Sequence, residues 1–229
     1  MDQHNIIKKV NDIMKDCGEC TLAIINQDGS PHAATRSFCR PANILGGYIS
    51  SNTSGNLVQS VLKNSAASMC IRQGNNNITL DGTLHVVQDR EKKNEMWLDW
   101  FINHYKGGMD DPEYSVIEFR TQSVSLWIDG QVVKFDVSTF TQPVSYCGLL
   151  CSTCDFVQSN GCKGCIATMG HPFYGECKIA GCAIAKGYQH CGQCPDMPCA
   201  DLHEYSCGDG EHCDRPKGAR LEILEMWNR

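Results

Sequence analysis

Thr21-Leu22-Ala23-Ile24-Ile25, then Asn26-Gln27-Asp28-Gly29, then a run from Pro31 to Arg40, is the stretch that decides the fold. The first five residues read as a strand. Asp28-Gly29 tolerates positive φ, and the return run alternates loosely, so the segment predicts a β-hairpin. On its N-terminal side, Ile6, Ile7, Val10, Ile13 and Met14 share one helical face between Asn5 and Asp16, and Cys17-Gly18 stops that helix. On its C-terminal side a third strand covers 44–51, and a short helix runs from Asn56 to Lys63. Strands follow at 66–71 and 77–87, joined by Gly74-Asn75-Asn76. Residues 91–105 read as one helix with Met96, Trp97, Trp100 and Phe101 on one face. Strands at 115–119, 124–128 and 131–137 complete the set, the last two turning on Asp129-Gly130. Hairpins outnumber βαβ units among these eight strand segments and three helices. The expected class is mainly β with helices, closed or partly closed as a barrel.

The barrel ends where the cysteines begin. Sixteen of the 229 residues are cysteine, and only Cys17, Cys20, Cys39 and Cys70 precede residue 147. The other twelve fall within the last 83 residues, about 14%, a density that marks a chain held by cross-links or metal. Phe140-Thr141-Gln142-Pro143-Val144-Ser145 is a short polar join, so we expect domains at 1–140 and 141–229.

Cys151/Cys154, Cys162/Cys165 and Cys191/Cys194 are C-x2-C pairs. That spacing lets two thiolates converge on one metal from a tight turn. A small domain with thin apolar content needs such a staple, and metal binding then becomes part of its folding free energy. Zinc and an iron–sulfur cluster use the same thiolates, and the spacing leaves both open, with zinc the default for closed thiolate sites.

Charge narrows the partners. The net charge is −6, with 13 basic and 16 acidic residues in 1–140 and 7 and 10 in 141–229. Neither part has the basic surplus that grips a phosphate backbone, so nucleic acid is not expected. No apolar run approaches the roughly 18 residues of a membrane span, and the start, Met1-Asp2-Gln3-His4-Asn5, lacks a signal peptide's pattern. A cytoplasmic location is expected, where thiols stay reduced and dense cysteine points to metal.

The barrel region resembles a family. Thr21-Leu22-Ala23-Ile24, Asp28-Gly29-Ser30-Pro31-His32 with Arg36, Tyr48 through Asn56, Asp81-Gly82-Thr83-Leu84 with Asp89-Arg90-Glu91, and Asp111-Pro112-Glu113-Tyr114 occur in the order of the pyridoxamine 5′-phosphate oxidase-like split barrels, which include general stress proteins. The resemblance covers about residues 5–137. It implies a six- to eight-stranded split β-barrel, a homodimer, and FMN bound between the subunits. It places Arg36 at the flavin phosphate, Ile49 and Ser50 along the ring, and Ser54, Gly55 and Asn56 in the phosphate turn. Asn77 falls near a glutamine that meets the ring, and Trp127 near a late tryptophan. The chain departs from the family at that turn, where Gly55-Asn56 replaces the usual basic residues, and at Pro41, where the oxidase itself has a basic residue.

The second region is similar to small cysteine-rich domains of uncharacterised function that open Cys-Gly-Leu-x-Cys-x-x-Cys. The resemblance implies metal ligation by Cys147, Cys151, Cys154, Cys162, Cys165, Cys177, Cys182, Cys191, Cys194 and Cys199. Cys207 and Cys213, with His203 and His212, lie beyond it. The tail 219–227 reads as a docking helix with Leu221, Leu224 and Trp227 apolar. The leading function is an FMN-dependent, oxidoreductase-like protein with an appended metal module. The alternatives are a non-enzymatic ligand- or partner-binding protein and a thiol redox sensor that uses the C-x2-C pairs or Cys17/Cys20. No side chain is singled out as a catalytic acid or base.

Overall fold

The computed structural model describes residues 3–151, 154–210, 213, 214 and 216–228. It separates into two compact units, Val10–Val137 and a second made of Ser138–Arg229 with the chain up to Lys9. Among the described residues no helix is long and apolar enough to cross a membrane.

Helix α1 (Gln3–Asp16) leads into β1 (Glu19–Ile25), β2 (Pro31–Ser37) and β3 (Gly46–Asn52). Helix α2 (Asn56–Val61) precedes β4 (Ala66–Gln73), β5 (Asn76–Val86) and helix α3 (Arg90–Glu95), and β6 (Tyr114–Ile128) and β7 (Gln131–Asp136) close the unit. All pairings are antiparallel, in the order β2-β1-β4-β5-β6-β3, with β7 beside β6. Phe38, just past β2, bridges Ile49 on β3, so the two outermost strands of that order meet. The result is the split β-barrel that the resemblance implies.

The barrel core follows the period-2 alternation of its strands. Cys20, Leu22 and Ile24 of β1 face inward with Met69 and Ile71 of β4, Ile78, Leu80 and Leu84 of β5, and Phe119, Val124 and Leu126 of β6, all buried. Helix α2 adds Leu57, Val58 and Val61.

Two expectations are corrected. The strands expected at 115–119 and 124–128 are one 15-residue strand, so eight segments become seven. The polar stretch Arg120 to Ser123 marks a change of partner rather than a break: β6 pairs with β3 over Tyr114–Arg120 and with β7 over Ser123–Ile128. A bulge on β6 at Gln122, opposite Asp81 and Gly82 of β5, absorbs the shift. Gly82 is required there, because any side chain would overlap the carbonyl of Arg120.

The helix expected over 91–105 stops at Glu95 and resumes as a 3₁₀ turn at Asp99–Asn103. The Arg40 guanidinium donates to the carbonyls of Glu95 and Trp97, which draws those acceptors out of the helical ladder. The rewound segment tilts Phe101 and Tyr105 into a buried cluster with Cys39, Met96 and Tyr114. Trp97 packs edge-on against Phe101 and Tyr114 with ring centres 5.7 and 5.1 Å apart. Trp100 is on the exposed side, not in that face.

The second unit is helical: α4 (Ser138–Thr141), α5 (Asp155–Ser159), α6 (Lys178–Ala185), α7 (Ala200–Cys207) and α8 (Ala219–Trp227). The tail helix has the expected bounds. Leu224 is buried with Ile179 and Leu202, and Leu221, Trp227, Cys147, Cys177 and Cys191 pack around them. Asp214 and Arg220 form a buried ion pair at 2.7 Å. Asp214 also accepts from the Arg220 backbone N–H at 3.0 Å and from Ser206 Oγ at 2.7 Å. These bonds satisfy its lone pairs and fix the start of α8.

Candidate functional site

Arg36 lies on β2 opposite Cys20 of β1. Burial pushes the Cys20 thiol up to about 12, the Cys17 charge adds to this, and the Arg36 charge opposes it. A thiol held protonated in this way is a poor redox nucleophile, which weighs against Cys17/Cys20 as a sensor pair. On β3, Ile49 is 1% exposed and part of the core, so its contribution to any ligand is limited to main-chain groups. Ser50 neighbours the Cys39 thiol and the Tyr105 hydroxyl, and at both it opposes the upward push of burial.

The turn from Thr53 to Asn56 is pinned by the segment before β6. The Ser54 backbone N–H and its Oγ donate to Glu113 Oε2 at 3.0 and 2.7 Å. Thr53 Oγ1 donates to the Pro112 carbonyl at 2.8 Å. Asn56 Nδ2 donates to Asn26 Oδ1 at 2.8 Å, which binds the start of α2 to the β1–β2 turn. A cavity of about 510 Å³ adjoins Thr53, lined by Val58, Arg90, Lys93, Met109 and Tyr114 among others. Asp110 and Asp111 also border it, and Asp110 pairs with Arg90 at 2.6 Å.

Asn77 and Trp127 are direct cross-strand partners on β5 and β6. With Arg72, Asn75, Asn76 and Gly130 they line a pocket of about 550 Å³. Trp127 is 47% exposed, so an indole face is open beside an amide and a guanidinium. Cys70 Sγ donates to Asn77 Oδ1 at 3.2 Å. Such a group can stack a planar ring and hydrogen-bond its edge.

Asn77 and Trp127 are therefore brought together, and Ser54, Gly55 and Asn56 form a second group. Arg36 lies apart from the second group, toward the Asn77–Trp127 end of the sheet with β1 and β4 between. It stands five residues along β2 from Pro31, which is about 17 Å of strand, whereas Asn56 is fastened at the turn end of that hairpin. Arg72, Arg40 and Glu113 have roles the sequence reading did not assign. Glu113 was visible only as part of a motif, since nothing in Asp111-Pro112-Glu113-Tyr114 says that its carboxylate reaches 59 positions back to Ser54.

The thiols of the second unit gather in two neighbourhoods. Burial raises Cys151 to about 12, followed by the charges of Cys165, Cys147, Cys154 and Cys162. Burial also raises Cys191 to about 12, followed by Cys147, Cys199, Cys182 and Cys194. Cys151 Sγ would lie 3.5 Å from a Cβ on Gly164, the glycine inside the Cys162–Cys165 loop. The Gly164 N–H donates to Cys162 Sγ and the Tyr146 N–H to Cys165 Sγ, both at 3.4 Å. In the other neighbourhood Lys186 Nζ lies 3.8 Å from Cys194 Sγ. Cys147 stands between the two, 3.6 Å from Arg220 Nη1, and Cys177 caps α6.

His190, beside Cys191, is 2% exposed, and its Nδ1 has no hydrogen-bond partner among the described residues. The donor chemistry suits a thiophilic metal, but among the described residues no three His, Cys, Asp or Glu side chains are grouped tightly enough to hold one ion. Cys213 Sγ donates to the Glu204 carbonyl at 3.1 Å, and His203 is exposed. His212 and the Ser152-Thr153 pair of the opening motif lie outside the described residues.

Residues 5–144 match the family described as pyridoxamine 5′-phosphate oxidase like, and residues 143–204 match a protein family of unknown function. Among solved structures, the chain is similar to a general stress protein 26-related protein of the pyridoxinephosphate oxidase family from Clostridium acetobutylicum. That likeness has 20% identity, 59% of this chain, 97% of that one and a TM-score of 0.53. It is also similar to general stress protein 26 from Bacillus anthracis, with 16% identity, 57% of this chain, 99% of that one and a TM-score of 0.49. No curated protein matches the chain.

Proposed function

Because the chain belongs to the pyridoxamine 5′-phosphate oxidase-like family, we propose that it is a flavin-binding, oxidoreductase-like protein that works as a homodimer and carries an appended metal module. The flavin, FMN in the family pattern, supplies hydride or electron transfer at its ring when bound. The observation that carries this reading is the open Trp127 face beside Asn77 and Arg72. Trp127 stacks the ring, Asn77 hydrogen-bonds its edge, and Ile49 and Ser50 offer main-chain groups. Arg36 and the Ser54-Gly55-Asn56 turn meet the ligand's tail. These groups are spread over one barrel, so a ligand that touches all of them draws on two copies of the chain. That is the support for the dimer.

In the second region, the ten cysteines that the resemblance names act as thiolate ligands of zinc, with an iron–sulfur cluster as the alternative. The support is the grouping of eight of them into Cys151, Cys154, Cys162 and Cys165 on one side and Cys182, Cys191, Cys194 and Cys199 on the other, with Cys147 between the two and Cys177 near Cys165. Ligation requires each four to draw closer than they stand.

The test is a desalting experiment. The full chain is mixed with FMN or riboflavin, separated from free ligand, and its visible spectrum recorded. Retained flavin absorption with either ligand is the expected result, and a colourless protein with both overturns the reading. Elemental analysis of the same sample counts the metal.

A further inference from the structure

Resting on the flavin reading above, we propose that this chain takes an unphosphorylated flavin of the riboflavin class in preference to FMN, because Glu113 already fills the anion position of the Ser54–Asn56 turn. Two donors of the turn, the Ser54 backbone N–H and hydroxyl, both go to Glu113 Oε2 at 3.0 and 2.7 Å. A phosphate seated there must displace that carboxylate or sit against it, like charge against like.

The surroundings do not reverse the sign. Asp111 accepts from the Gly107 and Glu113 backbone N–H groups at 2.8 and 3.0 Å, which locks a second carboxylate next to the first. Asp110 is a third, and its charge is matched by Arg90. Lys93 stands over the Tyr114 ring at 5.4 Å. Asp110 and Asp111 balance Arg90 and Lys93 around the cavity, and Glu113, at the turn beside it, adds a carboxylate with no matching cation there. Gly55 and Asn56 add no charge, and Asn56 spends its amide on Asn26. A ligand whose tail ends in hydroxyls instead bonds Glu113 as a donor and gains from the carboxylate.

The full chain is titrated separately with riboflavin and with FMN, following the quenching of flavin fluorescence. The wild type is expected to bind riboflavin at least as tightly as FMN. Glu113→Gln keeps an acceptor for Ser54 and removes the charge, and it is expected to shift the FMN-to-riboflavin affinity ratio at least tenfold toward FMN. A tenfold wild-type preference for FMN overturns the proposal without any substitution. A ratio unmoved in Glu113→Gln overturns it as well, while leaving the flavin reading intact. Binding of neither flavin to either protein overturns both.

Discussion

Cys20 and Cys39 are the residues where burial sets chemistry most directly in the barrel. Burial holds the Cys20 thiol up to about 12 and the Cys39 thiol up to about 11, against an ordinary 9.0. The sign follows from proton counting: above pH 9 the unfolded chain has lost these protons while the folded chain keeps them, so stability falls as pH rises from about 9 to 12. The urea midpoint of the full chain is expected to fall between pH 8 and pH 10.5, and the double variant Cys20→Ala/Cys39→Ala is expected to flatten that fall. An equally steep decline in the variant would assign it to other groups. Arg36→Ala belongs to the same scale. It is expected to weaken FMN binding by about tenfold, one charge-assisted phosphate contact, with no loss of metal; unchanged FMN affinity would remove Arg36 from the site.

The elements show what the sequence could and could not reveal. The β1–β2 hairpin was legible because Asp28-Gly29 separates two runs of strand formers, and α8 because Leu221, Leu224 and Trp227 are spaced for one face. The continuity of β6 was not legible, since Arg120 to Ser123 looks like a turn until its change of partner from β3 to β7 is seen. The end of α3 was equally hidden: Arg40, 55 positions away from Glu95, takes its carbonyl. The candidate site follows the same rule. Asn77 and Trp127 could be named from the pattern, but their pairing is a matter of register, and Glu113 reaches Ser54 only in the fold.

Helix α8 also gives a sharp stability test. Asp214→Ala leaves Arg220 buried without its carboxylate, which costs about 3–5 kcal/mol, and thermal unfolding of the full chain should register it as a lowered midpoint. The two thiol neighbourhoods give another. Cys151→Ser and Cys191→Ser are each expected to remove about half of the bound metal, measured by elemental analysis. Loss of all metal from either single variant would mean one shared site.

At the scale of the whole molecule, the proposed dimer rests on the dispersal of Arg36, the Ser54 turn and the Trp127 platform over one barrel. Light scattering on the full chain is expected to give about twice the 25.4 kDa of one chain. A monomer that still retains flavin would show that one barrel suffices. The flavin itself is the central claim, and it is tested most directly by desalting the purified full chain after mixing it with riboflavin or FMN. A protein fraction that keeps a flavin visible spectrum, with riboflavin retained at least as well as FMN, is the expected result. A colourless protein fraction with both ligands would contradict it.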